Sequence, residues 1–281
     1  MKNPVFFGIA LSLMAVTGIV HGQNTKTVMH SVGLLEVYLI TEGERQGSPP
    51  RFVNANPRLI ETYIPNGTVN SATNMFVVKT ADGIVIIDTG YGAGILEGLQ
   101  TLQIDPENVA AVILTHTHID HVRGLLKNGV AAFPNAVIYL SAREADFWKR
   151  TGGERYTTAY KTVRTFDPVE IGLPGTAIIN GITPFASYGH TPGHTVYMIE
   201  SHNEKLLVIG DLVNVAEIQF PRPDIATIYD TDGNAAASSR RRVFEFAAQN
   251  GIAVSGMHLI SPAIGLLTQN GAGFSFTELK Q

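Results

Sequence analysis

The chain has 281 residues, of which 44% are hydrophobic and 16% charged, with a formal net charge of −4 and no cysteine. That length can bury one large core or two packed half-sheets, and an acidic balance without a basic patch argues against a nucleic-acid partner. The missing cysteines exclude disulfides, a lipid-bearing cysteine, and a cysteine metal ligand or nucleophile.

Taken in chain order, Met1-Lys-Asn precedes an apolar run from Val5 to Val20 and then Val20-His21-Gly22. This reads as a secretory signal over residues 1–22, leaving a mature domain of 23–281 in the periplasm or outside the cell. The run is short for a bilayer span and contains Thr17 and Gly18, so no membrane span is expected after cleavage. Gly33 to Ile40 and Asn74 to Lys79 read as strands, and Asp82-Gly83 is a hairpin signal leading into Ile84–Asp88. Between the first two strands, residues 42–73 make a connection of roughly thirty residues, much longer than usual. They fit either a surface excursion or a lid. Gly92 to Leu102 reads as a helix, Val109 to Thr115 as a buried strand, Ala136 to Leu140 as a strand and Ala142 to Lys149 as a helix. Strands recur at Ile182–Ser187, Thr195–Glu200 and Lys205–Ile209. A helix over Ala235–Gln249 and a strand at Ile252–Ser255 follow. Arg240-Arg241-Arg242 falls in that helix and reads as a solvated face. Two strand-then-helix halves give an α/β four-layer arrangement treated as one domain.

The chemistry concentrates after the strand Val109–Thr115. Residues 116–121 supply a His-x-His-x-Asp-His cluster made of His116, His118, Asp120 and His121. Neutral imidazole and carboxylate are the side chains that bind divalent metals such as zinc. Ligands on a loop leaving a rigid strand are held in place while their metal stays open to substrate. Further candidates follow, each at the end of an apolar run or in the turn after it: His190 in Gly-His-Thr-Pro-Gly-His194, Asp211 after Leu206-Leu-Val-Ile-Gly, and His258 after Val254-Ser-Gly-Met. Asp230-x-Asp232-x-Asn234 hints at a calcium loop. However, Ala235 stands where the loop needs Gly and Arg241 where it needs Glu, so a turn with a helix cap fits instead.

The motif, its order and its spacing, from about Asn74 to His258, resemble the metallo-β-lactamase superfamily, dinuclear zinc hydrolases with an αβ/βα sandwich fold. The resemblance implies two zinc ions per chain, with manganese or cobalt as alternatives. It implies one ion on His116, His118 and His190, the other on Asp120, His121 and His258, and Asp211 bridging both. Two cations so close repel, so a bridging carboxylate and a bridging hydroxide are electrostatically needed, and the pair makes that hydroxide a nucleophile at neutral pH. Asp120 would orient the hydroxide and pass a proton to the leaving group. His194 and Asp88 are expected to support the ligands from behind.

Within the superfamily, His118 differs from the Glu of the iron flavoproteins, and no helical domain of the glyoxalase type follows His258. The segments Gly210–Phe220 and Tyr229–Asp232 resemble the acyl-homoserine lactonase and methyl parathion hydrolase-like group. The function implied is opening of the lactone ring of N-acyl-homoserine lactones. Organophosphate triester or aryl ester hydrolysis, β-lactam hydrolysis and non-catalytic metal binding are the alternatives. Lactonases of this fold place a Tyr three residues after the bridging Asp, where this chain has Asn214. Phe147, Trp148, Phe220 and Met257 are expected, with Asn214, to line a pocket for a small ester or lactone. No motif sets an oligomeric state.

Overall fold

Runs of apolar residues such as Ile84–Ile87 and Val109–Leu114 can sit in a sheet only if both of its faces are covered. The computed structural model, which describes residues 25–151, 169–171 and 177–279, provides that cover. The signal-like segment 1–22 lies outside the described residues.

In chain order the strands are β1 (Lys26–Val32), β2 (Leu35–Gly47), β3 (Val69–Thr80), β4 (Gly83–Ile87), β5 (Val109–Ile113), β6 (Leu126–Lys127), β7 (Val130–Ala131), β8 (Val137–Ser141), β9 (Val169–Ile171), β10 (Ile182–Ala186), β11 (Thr195–Ser201), β12 (Glu204–Val208), β13 (Ala253–Ser255), β14 (Ile264–Asn270) and β15 (Gly273–Glu278). The helices are α1 (Pro57–Tyr63), α2 (Ala93–Thr101), α3 (Ile119–Val122), α4 (Ala142–Thr151), α5 (Ala216–Gln219) and α6 (Gly233–Asn250). One sheet has the order β1-β2-β3-β4-β5-β8-β9, the other β10-β11-β12-β13-β14-β15, and β6 and β7 form a small hairpin. β1 to β4 pair antiparallel, whereas β4, β5, β8 and β9 run parallel.

The side-chain alternation of each strand assigns its two faces. Val37, Leu39, Phe76, Val78, Val85, Ile87, Ala111 and Ile113 point into a core shared with Tyr197, Ile199, Leu206, Val208 and Val254 of the second sheet. Their neighbours Ile40, Met75, Val77, Ile86, Val112 and Leu114 face away, against Ile95 and Leu99 of α2. On the far side of the second sheet, Val243, Phe244 and Ala247 of α6 join the shared core. Helix, sheet, sheet and helix make the αβ/βα sandwich expected from the sequence. Asp232 caps α6 by accepting from the N–H groups of Asn234 (3.1 Å) and Ala235 (3.0 Å), and Gly251 ends it at φ 61°, the left-handed conformation glycine tolerates. Among the described residues, no helix is long and apolar enough to cross a membrane.

Several expectations change. The connection at 42–73 begins and ends as strand: β2 runs to Gly47 and β3 starts at Val69, paired down to Gly47↔Val69 across a bulge at Thr41/Gly43. Only 48–68 lies outside the ladder, and it contains α1, capped by Asn56. Phe52, Ile64 and Val69 pack on Val215, Ile218 and Ile225, anchoring that excursion to the segment after Asp211. Arg240 is fully buried rather than solvated. Its guanidinium donates to the carbonyls of Leu212, Pro223 and Ile225, tying α6 to that segment. Phe220 and Met257 are core, not pocket. Phe220 stacks on Phe276 with ring centroids 4.9 Å apart, and Met257 is 1% exposed in the same cluster. Phe220→Ala should therefore lower stability by about 3–5 kcal/mol through the cavity it leaves, while KM for any substrate stays unchanged. Denaturant unfolding and steady-state kinetics check the two halves of that expectation.

Candidate metal centre

Parallel strands end at one edge of a sheet, so the loops that leave them converge there. His116, His118, Asp120 and His121 follow β5, Asp211 follows β12 and His258 follows β13. His190 lies in the turn between β10 and β11. The structure brings these seven side chains together in two groups, each with ligand atoms within 4.8 Å of one another: His116, His118, His190 and Asp211, and Asp120, His121 and His258. Asp211 stands between them. Its carboxylate lies 3.2 Å from Nε2 of His121, 3.3 Å from Nε2 of His190 and 3.0 Å from Nε2 of His258. Asp120 lies 3.8 Å from His121 and 3.7 Å from His258.

Local sequence explains how these groups are held. Asp88, at the end of β4 with φ 57°, accepts from the N–H (2.8 Å) and hydroxyl (2.6 Å) of Thr115 and meets Nδ1 of His121 at 2.7 Å. It therefore ties the start of the metal loop to one of that loop's own imidazoles. His194 is buried with Nδ1 on the Ser187 hydroxyl (2.7 Å), and its Nε2 accepts the Asp211 N–H (3.0 Å). Gly210, at φ 54°, has no room for a Cβ because that imidazole occupies the space. Asp230, which the sequence offered only as part of a failed calcium loop, meets Nδ1 of His190 at 3.1 Å and lies 3.8 Å from the buried Arg240. A carboxylate behind a metal-facing histidine fixes the ring's tautomer and orientation.

The electrostatics are those of a site built for cations. Burial and the neighbouring imidazoles of His121 and His118 hold His116 well below its ordinary pKa. Burial and His190 lower His118 to about 3. On the other side burial is overcome: Asp211, Asp120 and Asp88 hold His121 well above its ordinary value, and Asp211 raises His258 to about 9. Nε2 of His116, Nε2 of His121 and Oδ1 of Asp211 are buried without a hydrogen-bond partner. Leaving such groups unpaired costs free energy unless something binds them. Imidazole and carboxylate donors in two adjacent groups fit a dinuclear metal site.

This centre opens at the base of a cavity of about 550 Å³ lined by Arg45, Ser48, Pro49, Pro50, Tyr91, Ile119, Asn214, Ile228 and Tyr229 with the metal-facing residues. Asn214 lies on that wall, its amide donating to Oδ2 of Asp211 (3.1 Å). Trp148 is buried, with its indole N–H on Glu144 (2.8 Å) and its ring 6.5 Å from that of His118. Phe147 packs edge-on against Trp148, and neither lines the cavity. Tyr91, Pro49, Pro50 and Ile228 escaped the sequence reading because they sit in loops, where apolar side chains follow no period.

Two measurements test the centre. Metal analysis should return two ions per chain, and Asp211→Ala should lose at least one. Asp230→Asn, which weakens the hold on His190, should reduce affinity at that group about 10–100-fold, measured by chelator competition.

A match to the metallo-beta-lactamase superfamily spans residues 69–250. A thioesterase of Emericella nidulans is 26% identical over 160 residues, 55% of this chain and 41% of that protein. An N-acyl homoserine lactonase of Bacillus cereus is 26% identical over 196 residues, 67% of this chain and 71% of the relative. The chain thus spans less than half the length of the thioesterase. Among solved structures, the dizinc quorum-quenching lactonase AidC, in complex with a product N-hexanoyl-L-homoserine, superposes with a TM-score of 0.84 at 25% identity, covering 92% of this chain and 98% of that one. With the family match covering more than half of the sequence, the chain belongs to the metallo-beta-lactamase superfamily.

Proposed function

We propose that this chain is an exported zinc-dependent hydrolase of ester-like bonds whose substrate is the lactone of an N-acyl-homoserine signal. The observation that carries this reading is the pairing of the two His/Asp groups with an apolar, solvent-exposed rim. Tyr91, Ile119, Ile228 and Tyr229 are 45%, 39%, 48% and 43% exposed, and all four line the mouth of the cavity. Large apolar side chains left in water around a polar floor suit a ligand with a neutral hydrocarbon arm and a reactive polar head. The lactonase relative and the lactonase structure with bound product support the same choice.

Zinc held at both groups would supply an acidified water for attack and a Lewis acid for the carbonyl. The chain's own residues would do the rest. Asp120, partly open to the cavity at 21% side-chain exposure, would orient the attacking water and then pass its proton to the leaving alkoxide. His121 and His258, each within 4 Å of Asp120, hold that carboxylate ionised against the effect of burial. The amide of Asn214 is bonded to Asp211 and to the Thr227 hydroxyl, so the ring-oxygen contact made elsewhere by a Tyr falls to the phenols of Tyr91 or Tyr229. The apolar rim, with Pro49 and Pro50 from the 48–68 excursion, would close over the acyl chain and exclude water.

A panel of acyl-homoserine lactones, methyl paraoxon and nitrocefin decides the substrate. Ring opening of the lactone should be fastest, should vanish with chelator and should return with zinc. Tyr229→Ala should raise KM for a long-chain lactone more than for a short one. Preference for the phosphotriester or for nitrocefin would move the substrate assignment while leaving the metal centre intact.

A further inference from the structure

His118 and His190 face each other, Nδ1 to Nε2, at 3.0 Å, yet they hang on separate loops. On one side the loops meet through the Thr195 N–H donating to the Thr115 carbonyl (2.9 Å). On the other side they meet through Glu144, a residue of α4 with 0% exposure. Its Oε1 accepts from the Thr117 N–H (3.1 Å), the Thr117 hydroxyl (3.2 Å) and the Trp148 indole (2.8 Å). Its Oε2 accepts from the Thr191 hydroxyl (2.7 Å) and the Gly193 N–H (3.0 Å).

A buried carboxylate normally needs a cation or a full set of donors. Among the described residues Glu144 has only donors, and four of the five belong to the two loops. Thr117 lies between His116 and His118, and Thr191 follows His190. At Gly193 a Cβ would collide with the backbone of Glu144, so the helix and the loop are in direct contact. The other group has different supports: His121 rests on Asp88 and His258 on the Ala72 carbonyl at 2.9 Å.

We propose that Glu144 is a positioning residue that sets the separation of the His116/His118 loop from the His190 loop. It thereby sets the affinity of one metal position, that of His116, His118, His190 and Asp211, and not of the other. The inference rests on the dinuclear reading of the centre and concerns metal binding, whatever the substrate.

The test is Glu144→Gln in the full chain, titrated with zinc against a competing chelator and, separately, with cobalt followed by its absorption. Glutamine keeps the shape, but either orientation turns its NH2 toward an N–H donor, at Thr117 and Trp148 or at Gly193. Affinity should fall about 10–100-fold at one position only, so that one ion binds as in the unaltered chain and half of the cobalt bands weaken. Thr191→Val removes a single hydroxyl link at nearly constant volume and should weaken the same position less.

Two ions bound with unaltered affinity in Glu144→Gln would overturn the proposal. Equal weakening of both positions, in step with a lower Tm of the metal-free chain, would overturn it too, since that is the signature of a general brace. If Glu144→Gln does not fold, unchanged binding in Thr191→Val overturns it. Fewer than two ions in the unaltered chain would remove the dinuclear reading itself, separately from any effect of the substitutions.

Discussion

The organising constraint is the carboxylate of Asp211, buried at 3% exposure and surrounded by the imidazoles of His116, His121, His190 and His258. Hydrogen bonds leave part of that set unsatisfied: Nε2 of His116, Nε2 of His121 and Oδ1 of Asp211 are buried without a partner. The two sides solve the problem differently. Where Asp88 and Asp120 add negative charge, His121 and His258 are driven toward the protonated form. Where burial and then crowding by other imidazoles act together, His116 and His118 are driven toward the neutral form. A cation relieves both: it replaces the protons on the first side and supplies the missing electrophile to the lone pairs on the second. The two positions are therefore unlike, one rich in carboxylate and the other in neutral imidazole, although they share Asp211.

Such a cluster opposes folding, and the sandwich is arranged to hold it. The floor is the end of β5 and β12, where Val112, Ile113, Leu207 and Val208 are buried on both faces of their sheets. Behind the floor stand side chains that do not line the cavity. Asp88 holds the β5 loop, His194 holds the backbone of Asp211, and Arg240 with Asp230 ties His190 to the segment that α6 packs upon. Arg240 illustrates the pattern. Burial lowers its pKa to about 10, a cost offset by three backbone carbonyls and the carboxylate that orients a metal-facing ring.

What the sequence made legible follows from how local each signal is. The His-x-His-x-Asp-His run lies within six residues on one loop, and Asp211 and His258 each end an apolar strand, so donor chemistry and strand period coincide. The central strands and the helices α2, α4 and α6 read correctly to within a few residues for the same reason. β1, β9, β14 and β15 escaped, being short, partly exposed or broken by polar residues such as Thr268, Gln269 and Asn270. The 42–73 connection looked irregular because its strand ends are polar: Glu44, Arg45 and Gln46 continue β2 through backbone pairing, which leaves no hydrophobic trace. The supports Glu144, Asp230 and Arg240 were hidden more deeply. Each is a charged residue on a helix or turn, and nothing in its neighbours in sequence tells a solvated side chain from one folded inward onto a distant loop.

The pocket was the least legible part because it is assembled from chain segments with no shared period. Pro49 and Pro50 come from the excursion between β2 and β3, Tyr91 from the turn before α2, and Ile228 and Tyr229 from the turn before α6. These segments are nonetheless tied to the metal loops. Glu42 accepts the N–H groups of Tyr91 (2.7 Å) and Gly94 (3.0 Å), which fixes the backbone of the Tyr91 turn. Phe52 bridges to Thr227 across the excursion, and the Thr227 N–H in turn donates to the carboxylate of Asp230 (2.9 Å), the partner of His190. The wall that would hold a hydrocarbon arm and the imidazole that would face a metal thus share one rigid connection. Exchange of rim side chains can alter which arm fits without loosening the metal-facing residues, provided Thr227 and Asp230 stay. On the proposed reading, such a scaffold would let substrate range change at Ile228 and Tyr229 while the roles assigned to Asp120 and Asp211 are kept.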